Sequence, residues 1–90
     1  MKETHMVIHG SVQGVGFRYF AVARAKELAI TGYVKNTPNN TVEILAQGRP
    51  ELLETFIQHM RLGPVSSQVE RVDVAFAPMG KRYSSFEIRG

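Results

Sequence analysis

Cysteine is absent from the sequence. That absence excludes a disulfide framework, a thiolate metal site and a cysteine nucleophile, and it fits a reducing compartment. No apolar run approaches the roughly 20 residues that a membrane-spanning helix needs. Met1-Lys-Glu-Thr-His5 leads straight into a strand-like run, with no apolar signal segment behind a basic start. A cytoplasmic protein without membrane contact is therefore expected. Long basic runs are missing as well. The formal net charge is +3, yet the longest basic run is Lys81-Arg82, and no clustered patch interleaves with aromatics. A nucleic-acid partner is not expected, while a small anionic substrate remains compatible with the charge. Linkers, repeats and low-complexity stretches are also lacking. The 90 residues read as one domain, residues 1–90, large enough for a core without metal or disulfide staples.

What is present is a regular alternation of short elements. His5-Met-Val-Ile-His9 reads as a strand that Gly10 ends, and Ser11 to Gly16 as a glycine-rich loop. Phe17, Ala21, Ala25 and Leu28 then draw an apolar stripe along one helical face. Thr31-Gly32 breaks that pattern, and Tyr33-Val34 begins a second strand towards Asn36. Thr37-Pro-Asn-Asn40 is a turn by composition, and Val42, Ile44 and Ala46 alternate as a third strand, which makes a hairpin. A second helix opens at Gly48-Arg-Pro50 with the stripe Leu52, Leu53, Phe56, Ile57 and Met60, and Gly63-Pro64 stops it. Val72, Val74 and Phe76 alternate as a fourth strand. Pro78-Met-Gly80 marks a turn, and Phe86 and Ile88 close a short final strand. The order β-α-β-β-α-β, plus that final strand, predicts an α+β protein. Its expected form is a ferredoxin-like α/β sandwich, with an antiparallel sheet of four to five strands and both helices on one face. A helical crossover makes the first two strands parallel, so the loop after the first and Asn36 at the end of the second should converge.

The loop carries the chemistry. Gly14 and Gly16 bracket Val15, and a helix begins at once. Glycines let several N–H groups turn towards one point, and the helix start adds unpaired donors and the positive end of its dipole. Together these can cradle a phosphate, with Arg18 in the first helical turn forking onto two of its oxygens. A glycine pair before a helix is also the makeup of an ordinary turn. The spacing matches neither a nucleotide P-loop, which ends in Gly-Lys-Ser/Thr, nor a three-glycine dinucleotide fingerprint.

The run Gly10-Ser-Val-Gln-Gly-Val-Gly-Phe-Arg18 closely resembles the first signature of the acylphosphatase family. Gly32-Tyr-Val-Lys-Asn36, followed by Val42 and Gly48, resembles the second. The resemblance covers nearly the whole chain. Its one departure is Asn40 at the hairpin tip, where the family usually has glycine; asparagine tolerates the left-handed region best among the other residues. The resemblance implies hydrolysis of acyl phosphates to a carboxylate and inorganic phosphate, the phosphate being product and competitive inhibitor. It assigns Arg18 and the backbone N–H groups of Gln13, Gly14, Val15, Gly16, Phe17 and Arg18 to the phosphoryl group, and Asn36 to the attacking water. No cofactor and no metal are implied, and a monomer is expected. The chemistry fits those residues. The leaving carboxylate, with a pKa of about 4 to 5, departs without a proton, so no general acid is needed. Positioning and charge stabilisation dominate phosphoryl transfer.

Other candidates fall away. His5 and His9 on a strand stand roughly 13 Å apart, too far to share an ion, and His59 has no ligand-spaced partner. Ser66-Ser67 and Ser84-Ser85 read as caps or turns, and Glu51 and Glu54 as solvated helix charges. Tyr19, Phe20 and Tyr33 are expected to pack or to line the site rim, since no Gly-Phe-x-Phe RNA-binding motif occurs. Two rivals remain. One is a non-catalytic ferredoxin-like module holding phosphate or carbamoyl phosphate, or RNA, against which Arg18 and Asn36 speak. The other is a resemblance to the N-terminal acylphosphatase-like domain of the hydrogenase maturation carbamoyltransferase. An end at Gly90 favours a stand-alone protein.

Overall fold

The computed structural model describes residues 1–90. Seven elements follow one another: β1 (Lys2–Ser11), α1 (Phe17–Glu27), β2 (Thr31–Asn36), β3 (Val42–Gly48), α2 (Pro50–Leu62), β4 (Gln68–Ala77) and β5 (Phe86–Arg89). One sheet runs in the order β4-β1-β3-β2-β5. Its inner face is set by the period of two: Thr4, Met6 and Ile8 on β1, Val34 on β2, and Val42, Ile44 and Ala46 on β3 are all fully buried. Helix α1 lies against β2 and β5, and α2 against β4, β1 and β3. Of the stripes expected, Phe17, Ala21 and Ala25 of α1 and Leu53, Phe56, Ile57 and Met60 of α2 are buried, whereas Leu28 caps α1 beyond its last turn and, like Leu52, is only half-buried. Each such large apolar side chain contributes about 1.5–3 kcal/mol on leaving water. Pro50 stands in the first turn of α2, and Gly63 ends it, its N–H donating to His59 O at 2.9 Å.

β3 is antiparallel to both β1 and β2, so those two run parallel on either side of it. Val42 faces Ile8 across one edge and Asn36 across the other. The convergence expected from the crossover is thereby met. The fifth strand departs from a purely antiparallel sheet, because β5 pairs with β2 in parallel and brings Arg89 opposite Lys35.

Two local expectations fail for non-local reasons. Gly10 does not end β1 but lies within it at a register shift, where a Cβ would come 2.1 Å from Gln68 O of β4. Thr31-Gly32 does not precede β2 but opens it, and a Cβ on Gly32 would come 1.8 Å from Leu45 O. In both places glycine permits close approach of neighbouring backbone and is no breaker. Phe76 is 55% exposed, although it continues the alternation of Val72 and Val74. β4 is an edge strand, so nothing flanks Phe76 on its outer side.

A polar network ties the segment before β5 to the sheet. Glu3 is buried, and its carboxylate accepts from Gln47 Nε2 at 2.8 Å and from the Gly80 N–H at 3.2 Å, with His5 Nε2 at 2.6 Å. Gln47 also donates to Lys81 O at 2.6 Å and accepts from the Tyr83 N–H at 3.1 Å. The His5 bond first, then the Gln47 bond, hold the Glu3 carboxyl below its ordinary pKa of 4.5, against the opposing pull of burial. A depressed folded-state pKa stabilises the fold above the ordinary value, and that stability is lost as pH falls through the lowered one. Glu3→Gln is therefore expected to flatten the fall in the urea midpoint on acidification below pH 4.5. An acid slope identical to that of the unsubstituted protein would refute the assignment.

Candidate active site

The loop between β1 and α1 holds two glycines in the left-handed region, Gly14 at φ 74° and Gly16 at φ 78°, on either side of Val15. A Cβ on either would meet no atom within 4 Å, so the dihedral angle and not crowding calls for glycine there. Gly16 is the N-cap of α1 and supplies no side-chain cap, and the first turn of the helix carries no acidic residue. Its positive end is thus left uncompensated, as suits an anion. Inside the helix the Phe20 N–H donates to Gly16 O at 3.0 Å, while no such partner serves the N–H groups of the turn before it.

Arg18, half-buried in that first turn, donates from Nη1 to Gly90 O at 3.1 Å. This contact locates its guanidinium. α1 leaves the C-terminal end of β1, which is also the C-terminal end of β2. Because Arg89 pairs with Lys35, Gly90 comes next along the register, at the level of Asn36. Arg18 and Asn36 therefore share one end of the sheet. Asn36 follows the fully buried Val34 on the helix-facing side of β2, and its Oδ1 is buried with no hydrogen-bond partner in the protein. Buried acceptors are nearly always paired, so this one stands out, at the end of the sheet that also carries the glycine loop and Arg18.

Two supports escaped the sequence. Gln13 was expected for its backbone N–H, yet its side-chain Nε2 crosses to the β2–β3 turn and donates to Thr37 O and Thr41 O, both at 2.9 Å. Ser66 is no mere cap or turn: its Oγ donates to Val15 O at 3.0 Å and steadies the loop from the far side, while Ser67 is the turn residue, bonding Pro64 O at 2.7 Å. No motif spacing marks either link, because each joins segments more than twenty residues apart. Asn40 adopts φ 62°, as its place at the hairpin tip requires, and its N–H bonds Thr37 O at 3.3 Å.

The remaining candidates lie elsewhere. His5 is engaged by Glu3, and His9 by Asp73 at 2.9 Å and Arg71 at 3.2 Å. No group of three or more histidine or acidic side chains is placed to hold a metal ion. Tyr33 is not at the rim of the site. It meets Tyr83 edge-to-face at 5.9 Å, with Arg89 stacked 4.5 Å from its ring centroid. Tyr19 is exposed, and Phe20 packs edge-on against Phe17 at 6.0 Å.

The structure is thus a small ferredoxin-like sandwich that gathers a left-handed glycine loop, Arg18 and Asn36 at one end of its sheet. The acylphosphatase family profile matches residues 4–88. The chain is 45% identical over 92 residues to the acylphosphatase of Methanospirillum hungatei JF-1, covering 99% of this chain and 98% of that one. The crystal structure of acylphosphatase from Bacillus subtilis superposes with a TM-score of 0.97 at 33% identity, and all of both chains is covered. The chain belongs to the acylphosphatase family. It also resembles full-length HypF in its phosphate- and nucleotide-bound form, with a TM-score of 0.91 at 30% identity, but spans 12% of that protein.

Proposed function

We propose that the protein carries out its family's reaction, the hydrolysis of acyl phosphates, at the end of the sheet that carries both Arg18 and Asn36. Arg18 and the backbone N–H groups of Gln13 to Arg18 hold the phosphoryl oxygens. Asn36 holds the attacking water through its amide. The observation that carries this assignment is the buried, unpartnered Oδ1 of Asn36. No group of the protein satisfies that acceptor, so it is free to receive a hydrogen bond from a water in the site.

The water oxygen attacks phosphorus as the bond from phosphorus to the acyl oxygen breaks. The carboxylate leaves with the bonding pair, and a phosphate oxygen of the substrate takes the water's proton. Asn36 Oδ1 accepts from the water and fixes its line of approach, while guanidinium and amides neutralise charge on the equatorial oxygens. Neither a general acid nor a metal ion nor a cofactor has a step to perform, since the leaving group is already a weak base.

Loss of benzoyl phosphate ultraviolet absorbance on adding the protein tests the activity. Inorganic phosphate is expected to inhibit competitively, raising KM in proportion to its concentration and leaving kcat unchanged. Absence of hydrolysis by folded protein that still binds phosphate would instead leave a phosphate- or carbamoyl-phosphate-binding module. Residues 1–90 act as one domain in the cytoplasm and as a monomer, the latter checked by sedimentation. No helix is long and apolar enough to cross a membrane.

A further inference from the structure

We infer that the Gln13 side chain is the positioning residue that sets the distance between the two halves of the site. The inference rests on the proposed roles of Arg18 and Asn36 and goes beyond them. Gln13 stands at the start of the phosphate loop, one residue before Gly14, and Thr37 immediately follows Asn36. Its single amide nitrogen spends both of its protons on this crossing, one on Thr37 O and one on Thr41 O, each at 2.9 Å. Among the protein's hydrogen bonds it is the only side-chain link between the loop and the β2–β3 hairpin.

The receiving turn is rigid enough to transmit that placement. The Thr37 N–H donates to Thr41 O at 3.0 Å, the two threonine hydroxyls lie 2.6 Å apart, and the Asn39 N–H donates to Thr37 Oγ1 at 3.2 Å. The loop, by contrast, contains two left-handed glycines in open space and is pinned at its middle only by Ser66 Oγ on Val15 O. Without Gln13 the cradle would keep its amides and Arg18, yet drift relative to Asn36. Two carbonyl oxygens converging on one point need two donors from one neutral nitrogen, and a primary amide at the reach of glutamine supplies them. A carboxylate of the same shape would face both carbonyls with no proton to give.

The test compares Gln13→Glu and Gln13→Ala with the unsubstituted protein, alongside Arg18→Ala and Asn36→Ala, using benzoyl phosphate turnover and inorganic phosphate inhibition. At pH 7.5 both Gln13 variants are expected to lose about tenfold or more in kcat, while the phosphate inhibition constant changes less than about threefold, because misplacement by an ångström or less acts on the reacting geometry. On acidification the Gln13→Glu deficit, measured as a ratio to the unsubstituted protein, is expected to shrink. Its carboxyl gains a proton and restores one of the two bonds. The Gln13→Ala deficit has no such proton to gain and stays constant with pH. Urea midpoints are recorded for each variant, and the ratio is read at temperatures where all remain folded. A kcat within twofold of the unsubstituted protein in both variants would overturn the inference. So would equal, pH-independent deficits, or a loss confined to phosphate binding. Unimpaired turnover in Arg18→Ala or Asn36→Ala would instead overturn the site assignment beneath it, whatever Gln13 does.

Discussion

Replacing Asn36 with alanine is expected to lower kcat on benzoyl phosphate by about 10² to 10³-fold, the usual consequence of removing one preorganised group from the transition state. The phosphate inhibition constant should move by less than about threefold, since the guanidinium and loop amides proposed to hold the anion are untouched. Stability gives the second, sharper reading. Oδ1 has no partner in the protein, so its removal breaks no hydrogen bond within the fold. The urea midpoint of Asn36→Ala is therefore expected to stay close to that of the unsubstituted protein. A variant less stable and fully active would show that the side chain is a structural element. Asn36→Asp keeps the shape but brings a negative charge towards the phosphate, so it should impair binding as well as turnover.

Arg18→Ala is expected to fail differently, losing both turnover and affinity. A guanidinium forked onto phosphate oxygens makes charge-assisted bonds of about 1.5–3 kcal/mol each. Their loss should raise the phosphate inhibition constant by about tenfold or more and lower kcat/KM by at least about 10³-fold. Lysine should restore little of this, because a point charge cannot reproduce the planar fork. Stability should hardly change, since the hydrogen bond of Arg18 to the protein is the exposed contact with Gly90 O. The comparison of the two variants separates a binder from a positioner: Arg18→Ala moves the phosphate constant and Asn36→Ala does not. Equal effects on phosphate binding would mean that the roles have been drawn wrongly.

The sequence by itself determined the elements and the loop. The stripes of α1 and α2 and the alternation of β3 are periods of 3.6 and 2, and each is read from neighbours a few residues away. Gly14 and Gly16 before a helix likewise declare a local dihedral requirement. The two family signatures brought Arg18 and Asn36 forward, and Asn36 could be set opposite the loop by the handed crossover alone. Tertiary structure decided the rest. Gly10 and Gly32 read as breaks, because nothing local reports that the backbone of a neighbouring strand stands within a Cβ's reach. The alternation of Val72, Val74 and Phe76 marked a face without saying whether anything covers it, and Phe76 is exposed. The parallel pairing of β5 depended on which edge of the sheet it reached. Above all, periodicity could not show that Gln13 spends both amide protons on the turn beyond Asn36, nor that Oδ1 of Asn36 is buried without a partner. Both are properties of residues brought together across the sheet. A local pattern fixes which way a side chain faces, whereas only the assembled strands fix what it meets.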